Sequence, residues 1–304
     1  MATRDLNEAG SGSARFCADS SDLELPLTIY NTEGVLRHPG RLVLSIVSEI
    51  ARNRSLVLIL FLRDLRAQFR QSLLGYAWLI FPPLATAFAW HLLNEQRIVT
   101  AKTSVPYPEF VFVGTAIWTA FTATVMAPTD TIYENREVLV KLNVCVEAFI
   151  LAGVARAAFN LFVTSGFVVL SLLVRGVEFG PTALLFPLAA SAVLVQAFAA
   201  GMLIAPIGAL YNDVRYGLVP LFGLLMFAAP VVFPIPDGTG TLGTIVRNSP
   251  LTPGIALCRD VLLTGSLQWA MPTICWFVVS LLTLLVAFLG LRVSKPHIIA
   301  RMGM

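Results

Sequence analysis

The run WAMPTICWFVVSLLTLLVAFLGL, residues 269–291, lies in a stretch with no charged residue between Asp260 and Arg292. About 20 apolar residues are needed to cross the roughly 30 Å of hydrocarbon in a bilayer. A charge at the centre of such a helix costs about 2.5–3.5 kcal/mol on insertion scales. This run therefore reads as a membrane span, and five other charge-free runs have the required length. They lie between Arg70 and Glu95, Glu109 and Asp130, Arg156 and Arg175, Glu178 and Asp213, and Arg215 and Asp237. Gly180-Pro181 and Gly265-Ser266 delay the helix starts in the two longest runs. The expected spans are 73–94, 109–130, 148–174, 182–210, 217–236 and 269–291.

Composition agrees with this reading. Of 304 residues, 13% are charged and 57% hydrophobic, and the mean hydropathy is +0.78. Soluble globular chains carry about 25% charge, enough to cover a wet surface. The sequence excludes an ordinary soluble globule, a disordered chain and a coiled coil. A net charge of +3 is too small to argue for nucleic acid, so the expectation is no nucleic-acid partner.

Charge placement sets the orientation. Six spans put both termini on one side, and Lys and Arg concentrate on that side of the membrane. The opposite side carries only Arg97, Lys102, Arg175, Arg247 and Arg259, while Arg156 falls within a span. Both termini are expected in the cytoplasm. The first 40 residues are polar, with no apolar signal-peptide core after a basic start. They read as a partly disordered cytoplasmic tail. Residues 41–72 read as amphipathic interface helices, 73–291 as the six-span domain, and 292–304 as a cytoplasmic C-terminal tail. The fold class is all-α and polytopic.

In-chain chemistry is sparse. His38, His91 and His297 share no metal or catalytic spacing with Cys, Asp or Glu, and no metal site is expected. A P-loop needs Gly-Lys, but the three lysines follow Ala, Val and Ser, so any ATP hydrolysis belongs to another chain. Acidic residues are missing from the interiors of the spans, which argues against a buried-carboxylate proton relay. No catalytic residue is assigned, and Cys17, Cys145, Cys258 and Cys275 are too scattered for an intrachain disulfide framework.

The segment LRDLRAQFRQSLLG, residues 62–75, stands out. Arg63, Arg66 and Arg70 share one helix face, opposite Leu58, Leu62, Leu65, Phe69 and Leu73. This is the pattern of a helix lying in the membrane interface, and equally of a plain positive anchor. Continued through Trp78 and Pro82-Pro83-Leu84, with Asp64 after Arg63, it resembles the entry motif of ABC-2 permeases that export polysaccharides. These are the Wzm-type O-antigen permeases, with capsule and teichoic-acid relatives. Asn135-Arg136-Glu137-Val138-Leu139-Val140-Lys141 resembles that family's cytoplasmic coupling segment. Val144-Cys145 stands where the family has Phe-Pro, and Glu147 keeps the following Glu. Tyr211-Asn212-Asp213-Val214-Arg215 occupies the place of an aromatic-Arg-Asp loop. Ala229-Pro230-Val231-Val232-Phe233-Pro234 is similar to Ser-Pro-Val-x-Tyr-Pro. Pro250, Arg259 and Asp260 fall in a segment resembling re-entrant outer gate helices, with Gly254–Leu263 dipping into the outer leaflet.

The resemblance implies the transmembrane subunit of an ABC exporter in a bacterial inner membrane, working as a homodimer. Its implied partners are a Wzt-type nucleotide-binding ATPase, which holds ATP and Mg, and a lipid-linked polysaccharide among membrane lipids. Asn135, Glu137, Leu139, Lys141, Glu147, Tyr211, Asp213 and Arg215 would form the ATPase-coupling loops. Pro230, Phe233, Pro234, Pro250, Arg259 and Asp260 would form the outer gate. Trp78, Phe88, Trp118 and Phe121 are candidates to line the channel, because sugar faces stack on aromatic rings. Aromatic belts at the interface are the alternative. Arg156, about 13 Å into its span at 1.5 Å per residue, has three readings: contact with a substrate pyrophosphate, a pair with Asp130, or snorkelling to headgroups. Competing functions are a permease for teichoic acid, lipid or drug, and a membrane-embedded enzyme of glycan or lipid assembly. The enzyme is disfavoured by the lack of acid–base groups in the spans.

Overall fold

A computed structural model describes Ser48 and residues 52–70, 72–96, 103, 105–141, 145–177, 179–235 and 240–302, without the side chains of Leu242 and 295–302. The tail expected over 1–40, and most of 41–51, lie outside the described residues. Among the described residues the structure is all-helical with no strand. The helices are α1 (Arg54–Phe69), α2 (Ala77–Glu95), α3 (Tyr107–Glu134), α4 (Arg136–Lys141), α5 (Val146–Val174), α6 (Phe186–Leu210), α7 (Asn212–Leu225), α8 (Thr241–Asn248), α9 (Thr252–Leu263) and α10 (Ala270–Met302). A 3₁₀ turn, Pro181–Leu185, leads into α6.

Four of these segments are long and apolar enough to cross a membrane: Tyr107–Glu134, Val146–Val174, Pro181–Leu210 and Ala270–Ser294. The other two expected spans do not meet that measure as single helices. α2 has 19 residues, but Pro82, Pro83, His91 and Asn94 dilute its apolar run. α7 has 14 residues, about 21 Å at 1.5 Å per residue. The expected span 217–236 therefore stops as a helix at Leu225. Turns follow through Pro230, and the chain continues non-helically to Ile235. At the other extreme, α10 continues past Arg292 as one helix to Met302, where a separate tail was expected.

Burial ranks the helices. The apolar window of α3 is 78% buried, against 28% for α5 and 22% for α10. α3 is the central post. It packs against α2, α5 and α6, while α6 also packs on α10, and α1 lies along α5. The outer faces of α5 and α10 present Phe162, Leu170, Leu173, Leu282 and Val286, the apolar surface that lipid tails require. Two apolar clusters fill the interior. The larger gathers Val111, Ile117, Val125, Leu172 and Val193 with Val231, Ile255 and Cys258. The second joins Leu60 of α1, Leu139 of α4, Ile150 of α5, Met202 of α6 and Phe288 of α10.

Several hydroxyls inside the bundle are satisfied locally. Thr119, Thr124, Thr273 and Ser280 each donate a hydroxyl to the carbonyl four residues back, at 2.7–2.8 Å. With no water available, that is the cheapest partner. The α3–α6 crossing is close because Gly201 has no side chain. A Cβ there would run into the backbone of Val125, including its carbonyl carbon at 3.0 Å. Small residues at such contacts let helix backbones approach.

Gly201→Ala is expected to destabilise the detergent-solubilised protein by about 1–3 kcal/mol, the usual range for overpacking. Gly166→Ala, whose Cβ meets nothing within 4 Å, is expected to be neutral or stabilising by up to about 1 kcal/mol. Thermal unfolding of both variants tests the contact, and equal midpoints would refute it.

Candidate functional site

Two ends of α3 carry the polar structure of the bundle. At its start, the non-helical run after α7 passes through buried Ala229, Val231 and Val232. Turns at this depth leave carbonyls without helical partners, and each unmatched carbonyl is costly away from water. Arg259, on α9 and 5% exposed, supplies the donors. Its Nη2 donates to the carbonyls of Pro230 and Val231, each at 2.9 Å. Tyr107 Oη donates to the next carbonyl, Val232, at 2.8 Å. The Arg259 guanidinium also lies over the Phe110 ring, 3.5 Å from its centroid, a favourable cation–π contact. Gly114 makes room, since a Cβ there would meet Arg259 Nη2 and the Val231 carbonyl.

The expected gate residues Pro230 and Arg259 are thus joined directly, and Phe233 and Pro234 continue the same run. Pro250 lies before α9, and its carbonyl accepts from Gln196 Nε2 at 2.8 Å. Asp260 points elsewhere and accepts from Ser266 Oγ at 3.4 Å.

At the other end of α3, Asn135 separates α3 from α4 and is 8% exposed. Its Nδ2 donates to Thr131 O at 2.9 Å. Its Oδ1 accepts from Arg63 Nη2 of α1 at 2.9 Å. Arg63 also pairs with Asp64 at 2.8 Å. Leu139 of α4 is buried in the second cluster, while Glu137 and Lys141 are exposed, 3.9 Å apart. Glu147 is buried and accepts from Cys145 Sγ at 3.2 Å. Arg215 Nε donates to Asp130 Oδ1 at 2.5 Å, and its guanidinium sits 4.5 Å from the Tyr133 ring centroid. The hydrogen bond to Asp130 raises the Arg215 pKa above its ordinary value. Tyr133, Glu134, Arg136, Glu137, Val138 and Arg215 surround an open recess of about 410 Å³. Tyr211 and Asp213 are exposed beside it in sequence.

The other candidates separate. Arg66 and Arg70 are exposed on α1. Trp118 and Phe121 stack at 5.5 Å, with Phe222 edge-on to Phe121. Both lie in the core of this chain, whereas Trp78 and Phe88 are exposed. Asp130, one partner considered for Arg156, is taken by Arg215. Arg156 is half-buried, and among the described residues it has no ion pair.

No protein-family model matches the chain. The O-antigen export system permease protein RfbA of Myxococcus xanthus is 29% identical over 231 residues, covering 74% of this chain and 84% of that protein. Its namesake in Klebsiella pneumoniae is 20% identical over 230 residues, covering 75% of this chain and 88% of that protein. The chain is thus similar to two O-antigen export permeases over about three quarters of its length.

Several residues that organise this bundle gave little sequence signal. Tyr107, Phe110 and Gly114 look like the ordinary start of a span. Only the spacing Tyr107-x-x-Phe110 and the small residue one turn later hint at a packed face. Glu109 and Asp130 mark the ends of a charge-free run, yet both lie inside α3, and Glu109 is buried.

Arg259→Met leaves the Pro230 and Val231 carbonyls without their donor. The expected cost is about 1–3 kcal/mol per unmatched group, read as a lower unfolding midpoint, with Arg259→Lys restoring part of it. A methionine variant as stable as wild type would show that Arg259 does not hold this segment.

Proposed function

We propose that this chain is the transmembrane subunit of an ABC exporter that moves an undecaprenyl-pyrophosphate-linked polysaccharide, such as O-antigen, across the cytoplasmic membrane. It works as a homodimer with six spans per copy and both termini in the cytoplasm. A separate ATPase subunit binds ATP and Mg. The relatives' names support export of O-antigen. The observation that carries the reading is the clamped loop at Asn135. A short polar helix between two long apolar ones is tied to α1 through Arg63 and to the bundle through Leu139. A loop held this way moves as one body with the helices around it, so a partner that pushes it moves the membrane part. Exposed Glu137, Lys141, Tyr211 and Asp213 and the neighbouring recess offer the partner a charged surface.

The passage for the glycan lies between two copies, where the exposed aromatics Trp78, Phe81 and Phe88 of α2 can stack on sugar faces. Arg156, a cation at membrane depth without an ion-pair partner among the described residues, is the candidate to meet the pyrophosphate. The re-entrant α8–α9 segment, latched by Arg259, closes the outer side. A teichoic-acid, lipid or drug permease would share this architecture and differ in what fits between the copies.

The test is co-purification with an ATPase whose activity rises with a defined lipid-linked glycan. In that complex, reversing Glu137 and Lys141 to Lys and Glu should leave the dimer folded and ATP hydrolysis running while export falls at least tenfold. Unchanged export would remove the loop from the coupling path. Arg156→Ala should lower export more than Arg156→Lys. Full activity in both would sink the pyrophosphate role.

A further inference from the structure

A second polar feature lies where α3 begins and α5 ends, in the same first turn of α3 that meets the Arg259 latch. Glu109, in the first turn of α3, is 5% exposed, and its Oε1 accepts from Arg175 Nη1 at 2.7 Å. Its Oε2 is buried and, among the described residues, has no hydrogen-bond partner. An ion pair that only fastened α3 to α5 would need one carboxylate oxygen. The second, left bare, costs about as much as a lost charged hydrogen bond, so it calls for a donor. Glu109 and Arg175 line a cavity of about 90 Å³ with Phe88, His91 and Phe112. Most of its lining is apolar, and Glu109, Arg175, His91 and Ser171 are the polar members.

We infer that this cavity holds the headgroup of a phospholipid bearing a primary ammonium, with the ammonium on Glu109 and the phosphate on Arg175. Three observations carry the assignment. First, the cavity sits at the ends of two spanning helices, which is headgroup depth in either orientation of the chain. Second, the space equals about three waters, far below the roughly 300–1,000 Å³ of a drug-sized ligand site, yet adequate for the end of an ethanolamine. Third, the charges form a matched pair. The Arg175 side chain is 54% exposed, so the guanidinium fork keeps donors for a phosphate oxygen beyond the one given to Glu109. A carboxylate beside a guanidinium complements an ammonium beside a phosphate. An anionic headgroup without an amine leaves Glu109 Oε2 bare. A choline headgroup brings the charge but no N–H.

The experiment is native mass spectrometry of the full-length protein released from bilayer nanodiscs of equimolar phosphatidylethanolamine, phosphatidylcholine and phosphatidylglycerol. Phosphatidylethanolamine should be retained roughly tenfold over each of the others, the effect of one charge-assisted hydrogen bond. In Glu109→Gln that preference should fall to about twofold or less, and Arg175→Gln should weaken retention of all three. Equal retention of the three lipids by the wild-type protein, or preference for phosphatidylglycerol, would overturn the inference. So would a Glu109→Gln protein that keeps the full preference. The wild-type comparison decides the matter even where a variant fails to fold.

Discussion

Two carbonyls and one guanidinium hold the segment between α7 and α9 against the start of α3. Pro230 and Val231 expose their carbonyls because the chain leaves the helix at Leu225 before it has crossed a bilayer's thickness. A helix that stops short in a non-aqueous interior must find donors elsewhere. Arg259 gives both, and Phe110 receives the face of the cation. The arrangement explains several neighbours together. Gly114 is small because the guanidinium passes there, Tyr107 extends the repair by one carbonyl, and α9 is buried on nearly every side because it delivers the arginine. The neighbouring Asp260 carboxylate turns to Ser266 and reaches the cation only through space. Such a site is held by neutral dipoles and a ring, and that is weaker and more easily remade than a closed ion pair.

At the far end of α3 the chemistry is of another kind. Arg215–Asp130 and Arg63–Asn135 join charged or amide groups near the polar boundary, where water can share them. The first ties the first turn of α7 to α3, and the second ties α1 to the residue after α3. The exposed apolar rows on α5 and α10 suit lipid, while the small α4 shows charge outward and one leucine inward. The distribution suits a part that stays seated in the membrane and offers a single firm handle outside it.

The sequence made the spanning helices legible because a charge in hydrocarbon is so costly that its absence over 20 residues marks a span. It located α3, α5, α6 and α10 to within a few residues at most ends. It misjudged the fifth run for the same reason, since absence of charge says that a segment is buried, not that it is helical. Pro220 and Pro230 were visible, but only the partners of the freed carbonyls decide whether the backbone continues or unwinds. The family motifs pointed to Asn135, Arg215, Pro230 and Arg259 as neighbours in role. Which atoms they share was invisible, because Arg63 meets Asn135 across 72 positions and Arg215 meets Asp130 across 85. Glu109 was hidden by its place at the margin of a run, where charge is ordinarily solvated.

Among the four spanning segments α3 is the most enclosed, and it meets the Arg259 latch, the Glu109–Arg175 pair and the Arg215–Asp130 pair. Between Tyr107 and Pro128 it is a straight stack of backbone hydrogen bonds about 30 Å long at 1.5 Å per residue. Gly201 pinches it against α6 at Val125, near the far end of that stretch, and Gly208 and Gly153 sit against Thr129 and Thr131 just beyond. A post pinned there cannot slide without breaking those contacts, but its Tyr107 end has the longer arm. A tilt of about 4° displaces one end relative to the other by about 2 Å over that length, enough to take a 2.9 Å hydrogen bond out of range. A tilt about these close contacts would reach the Arg259 latch by leverage, with no relay of side chains between.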